Sequence, residues 1–155
     1  MPTHRSEEAA PTLDPREAWY RLLRVSSVVL RELHHSLDAE ERIAVTEFDV
    51  LITLDNAPGK AMRMTDLAGA TMLSSGGMTR LVGRLEKRGF LLRTPDLDDA
   101  RAFRATLTAA GEKKLADARV THDAVLDRLI APHITPRELR ALERALGSVL
   151  DGCDA

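Results

Sequence analysis

Apolar residues recur at helical spacing along most of this chain. Trp19, Leu22, Leu23, Leu30, Leu33 and Leu37, with the small Ser26 among them, fall at three- and four-residue steps. That is one face of a long helix. Asp14-Pro15 supplies its start, an N-cap followed by proline at the first helical position. Thr46 and Asp49 resemble a capping box that opens a second helix through Val50, Leu51 and Leu54. Ala57-Pro58-Gly59 ends it. Residues 60–64 are short enough for a brief strand. Thr65 can cap a third helix, "DLAGATM". A tight connection at Leu73 and Ser74 leads into a fourth helix that ends at Gly89.

Beyond Gly89 the pattern changes. "FLLRT" (90–94) and "RAFRATL" (101–107) flank "PDLDDA", a turn-forming stretch, and predict a β-hairpin. Thr108 then caps a helix through Leu115, Val125, Leu126 and Leu129, which Pro132 ends. "TPRE" (135–138) combines a Thr cap, Pro at the first position and Glu at the third. Leu139, Leu142, Leu146, Val149 and Leu150 give the last helix its apolar face. The expected fold is mainly α with a small β-hairpin. Its expected divisions are an arm at 1–14, a long helix within 15–45, a lobe at 46–107, and C-terminal helices within 108–155.

Composition narrows the class. The chain has 155 residues, 44% hydrophobic and 30% charged, as expected of a soluble globular protein with one domain or two small lobes. With 3% aromatics, the core must be Leu, Val and Ala. Cys153 is the single cysteine, which excludes an intrachain disulfide framework and a cysteine zinc site. Cysteine usage points to the cytoplasm. The opening "MPTHRSEEAAPTLD" lacks the apolar run of a signal peptide and reads as a flexible arm. No apolar stretch reaches membrane-spanning length, so no membrane partner is expected.

The net charge of -2 conceals an asymmetry. Lys60 to Arg104 holds nine Lys/Arg and five Asp/Glu, and the remainder holds thirteen and nineteen. The middle is basic between acidic ends, which implies an anionic partner for that region. The fourth helix lies within it and carries Gly76, Gly77 and Gly83, although each helical glycine costs about 1 kcal/mol relative to alanine. On a helical wheel Met78, Leu81, Val82 and Leu85 form a buried stripe. Gly76, Gly77, Arg80, Gly83, Arg84 and Lys87 cluster opposite. A face with little bulk and much charge lets a helix backbone lie close to a polyanion. Ser74 and Ser75 mark its N-terminus, where backbone N–H groups can meet a phosphate. A short helix, a tight turn and such a helix make a helix-turn-helix, with the second helix in the major groove. The hairpin, with an arginine near its tip, would be a wing. The plainer alternative is a solvated charged face.

Four stretches, "TEFDVLITL" (46–54), "MTDLAGAT" (64–71), "LSSGGMTRLVGRLEKRGFLLR" (73–93) and "DARAFRATLTAAG" (99–111), resemble the MarR family of winged helix-turn-helix regulators. The last matches the family's wing pattern, Asp-x-Arg followed by Leu-Thr-x-x-Gly, at Asp99, Arg101, Leu107, Thr108 and Gly111. The resemblance spans about residues 15–150. It implies a winged helix-turn-helix lobe joined to a helical dimerisation lobe built from the first and last two helices. It also implies a homodimer reading an inverted repeat in double-stranded DNA, as a repressor or other transcription regulator. Carried over, Arg101 enters the minor groove and Asp99 orients it. Ser74, Ser75, Gly76, Thr79, Arg80, Arg84, Lys87 and Arg93 become the remaining DNA contacts. Many relatives carry a second arginine where this chain has Ala100. With Asp96, Asp98 and Asp99 beside it, the wing is expected to grip DNA more weakly; Arg93 and Arg104 could compensate or could merely flank the strands.

Family members often release DNA on binding small aromatic or anionic effectors. No cofactor is implied. Trp19, Asp49, Arg80 and Arg93 resemble the urate-responsive branch, with His34 a further candidate beside the interface. Trp19 could equally be interface core, Asp49 a cap and both arginines DNA contacts. His34 and His35 point about 100° apart on a helix and cannot readily share an ion, even with His122 and His133 elsewhere. Cys153 lies far from the early position of the peroxide-sensing cysteine. Metal or redox sensing therefore stands as an alternative, as does a winged helix that binds protein instead of DNA. The chain shows no phosphate loop, nucleophile–base pair or clustered metal ligands, so it is not expected to be an enzyme.

Overall fold

The computed structural model describes residues 14–71, 75–96, 99 and 101–153. Helix α1 (Pro15–Ser36) begins as expected: the Asp14 carboxylate accepts a 2.9 Å hydrogen bond from the Arg16 N–H. It passes into a single π-helical turn over residues 37–41, which ends at Arg42 with φ 55°. Leu33 and Leu37, one turn apart, are its buried anchors.

Helix α2 (Val45–Asn56) starts one residue before Thr46. Its cap is Ala44, whose N–H donates to Glu47 Oε2 at 3.0 Å. Alanine has no side-chain oxygen, so only this half of a capping box forms, and the Thr46–Asp49 box does not. Strand β1 (Ala61–Arg63) leads directly into α3 (Met64–Ala70), which Arg63 rather than Thr65 caps. Helix α4 (Ser75–Lys87) stops two residues before Gly89. Gly89, at φ 78°, reverses the chain there, and the Phe90 N–H reaches back to the Leu85 carbonyl at 2.9 Å. The expected connection at Leu73 and Ser74 lies outside the described residues, as do most of the N-terminal arm, Asp98 and Ala100.

The hairpin is β2 (Leu91–Pro95) and β3 (Phe103–Leu107). The brief strand joins them in an antiparallel sheet of order β1-β3-β2, with Ala61 opposite Thr106 and Leu91 opposite Leu107. Helices α5 (Ala109–Leu129) and α6 (Pro136–Cys153) complete the fold. Thr108 caps α5 and also ties it to the hairpin. Its hydroxyl accepts from the Gly111 N–H at 3.1 Å and donates to the Gly89 carbonyl at 2.7 Å. A Cβ at Gly111 would collide with the Phe90 carbonyl. The Leu-Thr-x-x-Gly pattern thus encodes a close crossing of two backbones.

The core is aliphatic: Leu37, Ile43, Val50, Leu51, Leu54, Leu67, Met78, Val82, Leu85 and Leu91 are the largest fully buried side chains. It extends to Leu115 and Ala118, so the first half of α5 shares it. The outer helices differ. Leu33 is the only buried residue of α1, and α6 has none.

Candidate nucleic-acid interface

The wheel drawn from the sequence is realised in α4. Met78, Leu81, Val82 and Leu85 face the core, while Gly76, Thr79, Arg80, Arg84 and Lys87 are exposed and Gly77 and Gly83 half-buried. A Cβ added at Gly76 or Gly83 would meet nothing within 4 Å. Packing within the chain therefore does not require glycine at either position. Ser75 is the first residue of α4; Ser74 lies outside the described residues.

The basic side chains of this region are not equivalent. Arg80 lies along its own helix, its Nε donating to the Gly76 carbonyl at 3.3 Å. Arg84 leans toward Glu47, 3.6 Å away, but is more than half exposed. Arg88, which the sequence reading passed over, joins three elements. Its Nη1 reaches Glu47 Oε2 at 3.1 Å, its Nη2 donates to the Arg42 carbonyl at 2.8 Å, and its guanidinium lies 4.8 Å from the Phe90 ring centroid. Charge-assisted bonds of this kind fix the C-terminal end of α4 against the start of α2. Arg93 Nε pairs with Glu86 Oε2 at 2.8 Å, and its backbone N–H donates to Oε1 at 3.3 Å.

On the wing, Arg101 is exposed. The Asp99 carboxylate accepts from the backbone N–H of Arg101, and the Asp99 carbonyl from that of Ala102, both at 2.9 Å. Asp99 therefore shapes the turn that presents Arg101. Asp96, one of the wing acids expected to weaken the grip on DNA, is buried. Its side chain is 2% exposed and pairs with Arg63 and Arg104. Arg104 is thus engaged within the fold, which favours the strand-flanking role of the two that the sequence leaves open.

A cleft of about 370 Å³ between wing and helix brings Thr79, Arg93 and Arg101 together with Arg63, Thr65 and Phe103. A second concavity of about 270 Å³ is lined by Thr46, Gly77, Arg80, Leu81 and Arg84. Of the effector candidates, Arg93 lines the first and Arg80 the second; Trp19, His34 and Asp49 line neither of these two. Trp19 and His34 are exposed on α1. Asp49 is exposed on α2, and partial desolvation raises its carboxyl above the ordinary 3.8. His122 stacks on Phe48, with ring centroids 4.7 Å apart. Among the described residues, no three His, Cys, Asp or Glu side chains gather as metal ligands. No described helix is long and apolar enough to cross a membrane.

This geometry coincides with a family match. Residues 43–103 match the MarR family. The HTH-type transcriptional regulator SarZ of Staphylococcus saprophyticus is 30% identical over 91 residues, which are 59% of this chain and 61% of that protein. The chain is thus matched to less than two thirds of that relative's length. Among solved structures, AbsC, a MarR family transcriptional regulator from Streptomyces coelicolor, superposes with a TM-score of 0.80 at 25% identity. The alignment covers 94% of this chain and 99% of AbsC. Sco3205 from the same organism, solved in complex with DNA, gives 0.81 at 22% identity, over 93% of this chain and 92% of that one. A helix-turn-helix segment, residues 43–103, thus matches the MarR family, and the fold is similar to that of these MarR family regulators from the first helix to the last.

Proposed function

We propose that this protein is a homodimeric transcription regulator that reads an inverted-repeat operator and leaves it when a small organic ligand binds. The observation that carries the DNA-reading part is the outer face of α4. It combines glycines that packing does not require with exposed Arg80, Arg84 and Lys87, beside a wing that presents Arg101. Glycines there let the helix backbone approach the groove floor, and the arginines reach base edges and phosphates. The DNA complex of Sco3205, a protein of the same fold, supports this reading.

The unpartnered apolar faces of α1 and α6 support the dimer. Trp19, Leu22 and Val25 on α1 and Leu142, Leu146 and Val149 on α6 are exposed. An apolar surface of this extent marks an interface, and a twofold dimer presents two recognition helices about one helical turn apart. The clefts flanking α4 are basic, which suits an aromatic carboxylate or phenolate as effector, and repression is the expected sign of regulation.

The test is a mobility-shift assay on the DNA upstream of the protein's own gene, against a scrambled duplex of equal length. Preferential binding, reversed by aromatic acids, is expected. Equal or absent binding to both duplexes, with the dimer intact, would turn the winged helix into a protein-binding module.

A further inference from the structure

The wing is fixed at its base by an ion triad around the buried Asp96 carboxylate, with two partly exposed arginines. Arg63, on β1, forks onto Asp96 with Nε to Oδ2 at 3.0 Å and Nη2 to Oδ1 at 2.8 Å. Arg104, on β3, adds Nη1 to Oδ2 at 3.4 Å, and its Nη2 donates to the Ala61 carbonyl at 3.2 Å. One carboxylate thus binds side chains from two strands across 33 residues of sequence. Asp96 is also the residue at which the loop leaves the sheet. Its backbone N–H donates to the Ala102 carbonyl at 2.9 Å. Ala102 directly follows Arg101, whose own N–H is held by Asp99.

We propose that Asp96 is a positioning residue for DNA recognition: clamped by Arg63 and Arg104, it sets the angle at which the wing delivers Arg101. This rests on the DNA-reading function proposed above. A bidentate guanidinium–carboxylate pair has a fixed planar geometry. With its carboxylate buried, the pair transmits the sheet's orientation to the loop. Nothing in the local sequence distinguishes this acid from the others in "PDLDDA", since its partners come from elsewhere in the fold.

The proposal has an unusual sign. Asp96→Asn removes a negative charge near the DNA-binding surface, and field effects alone would tighten binding to a polyanion. Loss of positioning would weaken it. The test is a double-mutant cycle measured by fluorescence anisotropy on operator DNA, using wild type, Arg101→Ala, Asp96→Asn and the double variant. Residues coupled through one network interact by roughly 2- to 150-fold in such cycles. The expected result is that Asp96→Asn weakens binding, and that Arg101→Ala costs clearly less in the Asp96→Asn background than in wild type. An acid that merely stabilised the fold would leave the Arg101 factor unchanged.

Arg63→Lys provides a second route. It keeps the net charge but replaces the fork with a point charge, and it should lower the Arg101 factor in the same way. It decides the matter if Asp96→Asn does not fold. Unchanged or tighter binding by folded Asp96→Asn, or an undiminished Arg101 factor in the variant that folds, overturns the proposal and leaves the DNA-reading function standing. Wild-type binding that is indifferent to Arg101→Ala overturns the wing's part in that function and the proposal with it.

Discussion

Replacing Gly83 with alanine should move stability and DNA affinity in opposite directions. Gly83 lies inside α4, and a Cβ there meets nothing within 4 Å. No contact is made or lost inside the chain, so the change in folding free energy reduces to helix propensity. That favours alanine by about 1 kcal/mol. For a chain of this size the corresponding rise in Tm is roughly 2–4 °C. Against DNA the same methyl is an obstacle. Carbon atoms in contact sit about 3.5–4.0 Å apart, so a helix already seated at Gly83 must withdraw to admit it. Losing one good base contact costs about 1–3 kcal/mol, or roughly 5- to 150-fold in affinity. Gly83→Leu should bind more weakly still. Thermal melts give the first quantity and fluorescence anisotropy on operator DNA the second. If both variants gained stability and bound DNA as wild type does, the glycines would be no more than part of a solvated surface.

Three further outcomes follow from other parts of the molecule. Leu142→Glu, on the exposed apolar face of α6, should convert the dimer to monomer in sedimentation experiments; an unchanged sedimentation coefficient would exclude that face as the interface. Thr135→Ala removes the cap hydroxyl of α6, which accepts from the Glu138 N–H at 3.3 Å, and should cost about 0.5–2 kcal/mol of stability; equal denaturation midpoints would show that the hydroxyl contributes nothing. That hydroxyl at 2.6 Å and the Thr135 N–H at 2.8 Å, which alanine keeps, donate to Glu138 Oε2. Those bonds, the hydroxyl's first, also hold the Glu138 carboxyl below its ordinary 4.5. The folded value lies below the unfolded one. The stabilisation is therefore complete above the ordinary value and lost as pH falls through the folded one. Glu138→Gln should flatten the acid limb of the pH–stability curve, and an unaltered limb would exclude this carboxyl as a contributor.

Signals carried by neighbouring residues were legible in the sequence. Asp14-Pro15, Thr108 and Thr135 with Glu138 start α1, α5 and α6 because the donors and acceptors of a helix cap lie within four residues of each other. The hairpin and the two faces of α4 follow likewise from side-chain periodicity. The start of α2 is not legible because Ala44 carries no capping oxygen, while Thr46, two residues on, does. Long-range charge pairing was not legible. Arg63 finds Asp96 across 33 residues and Arg88 finds Glu47 across 41. These pairings decide which of the region's arginines project outward and which brace the fold. Arg104 is therefore a strut, Arg88 joins α4 to α2, and Arg93 meets Glu86.

The affinity of the intact protein for operator DNA across a salt series tests directly whether α4 and the wing form a surface for DNA. Each neutralised phosphate should add about -0.9 to the slope of log K against log salt, so several contacts per recognition helix predict a steep fall. Saturable binding with such a slope, tighter than to random duplex at every salt concentration, is expected. Absent or salt-insensitive binding by an intact dimer would contradict it.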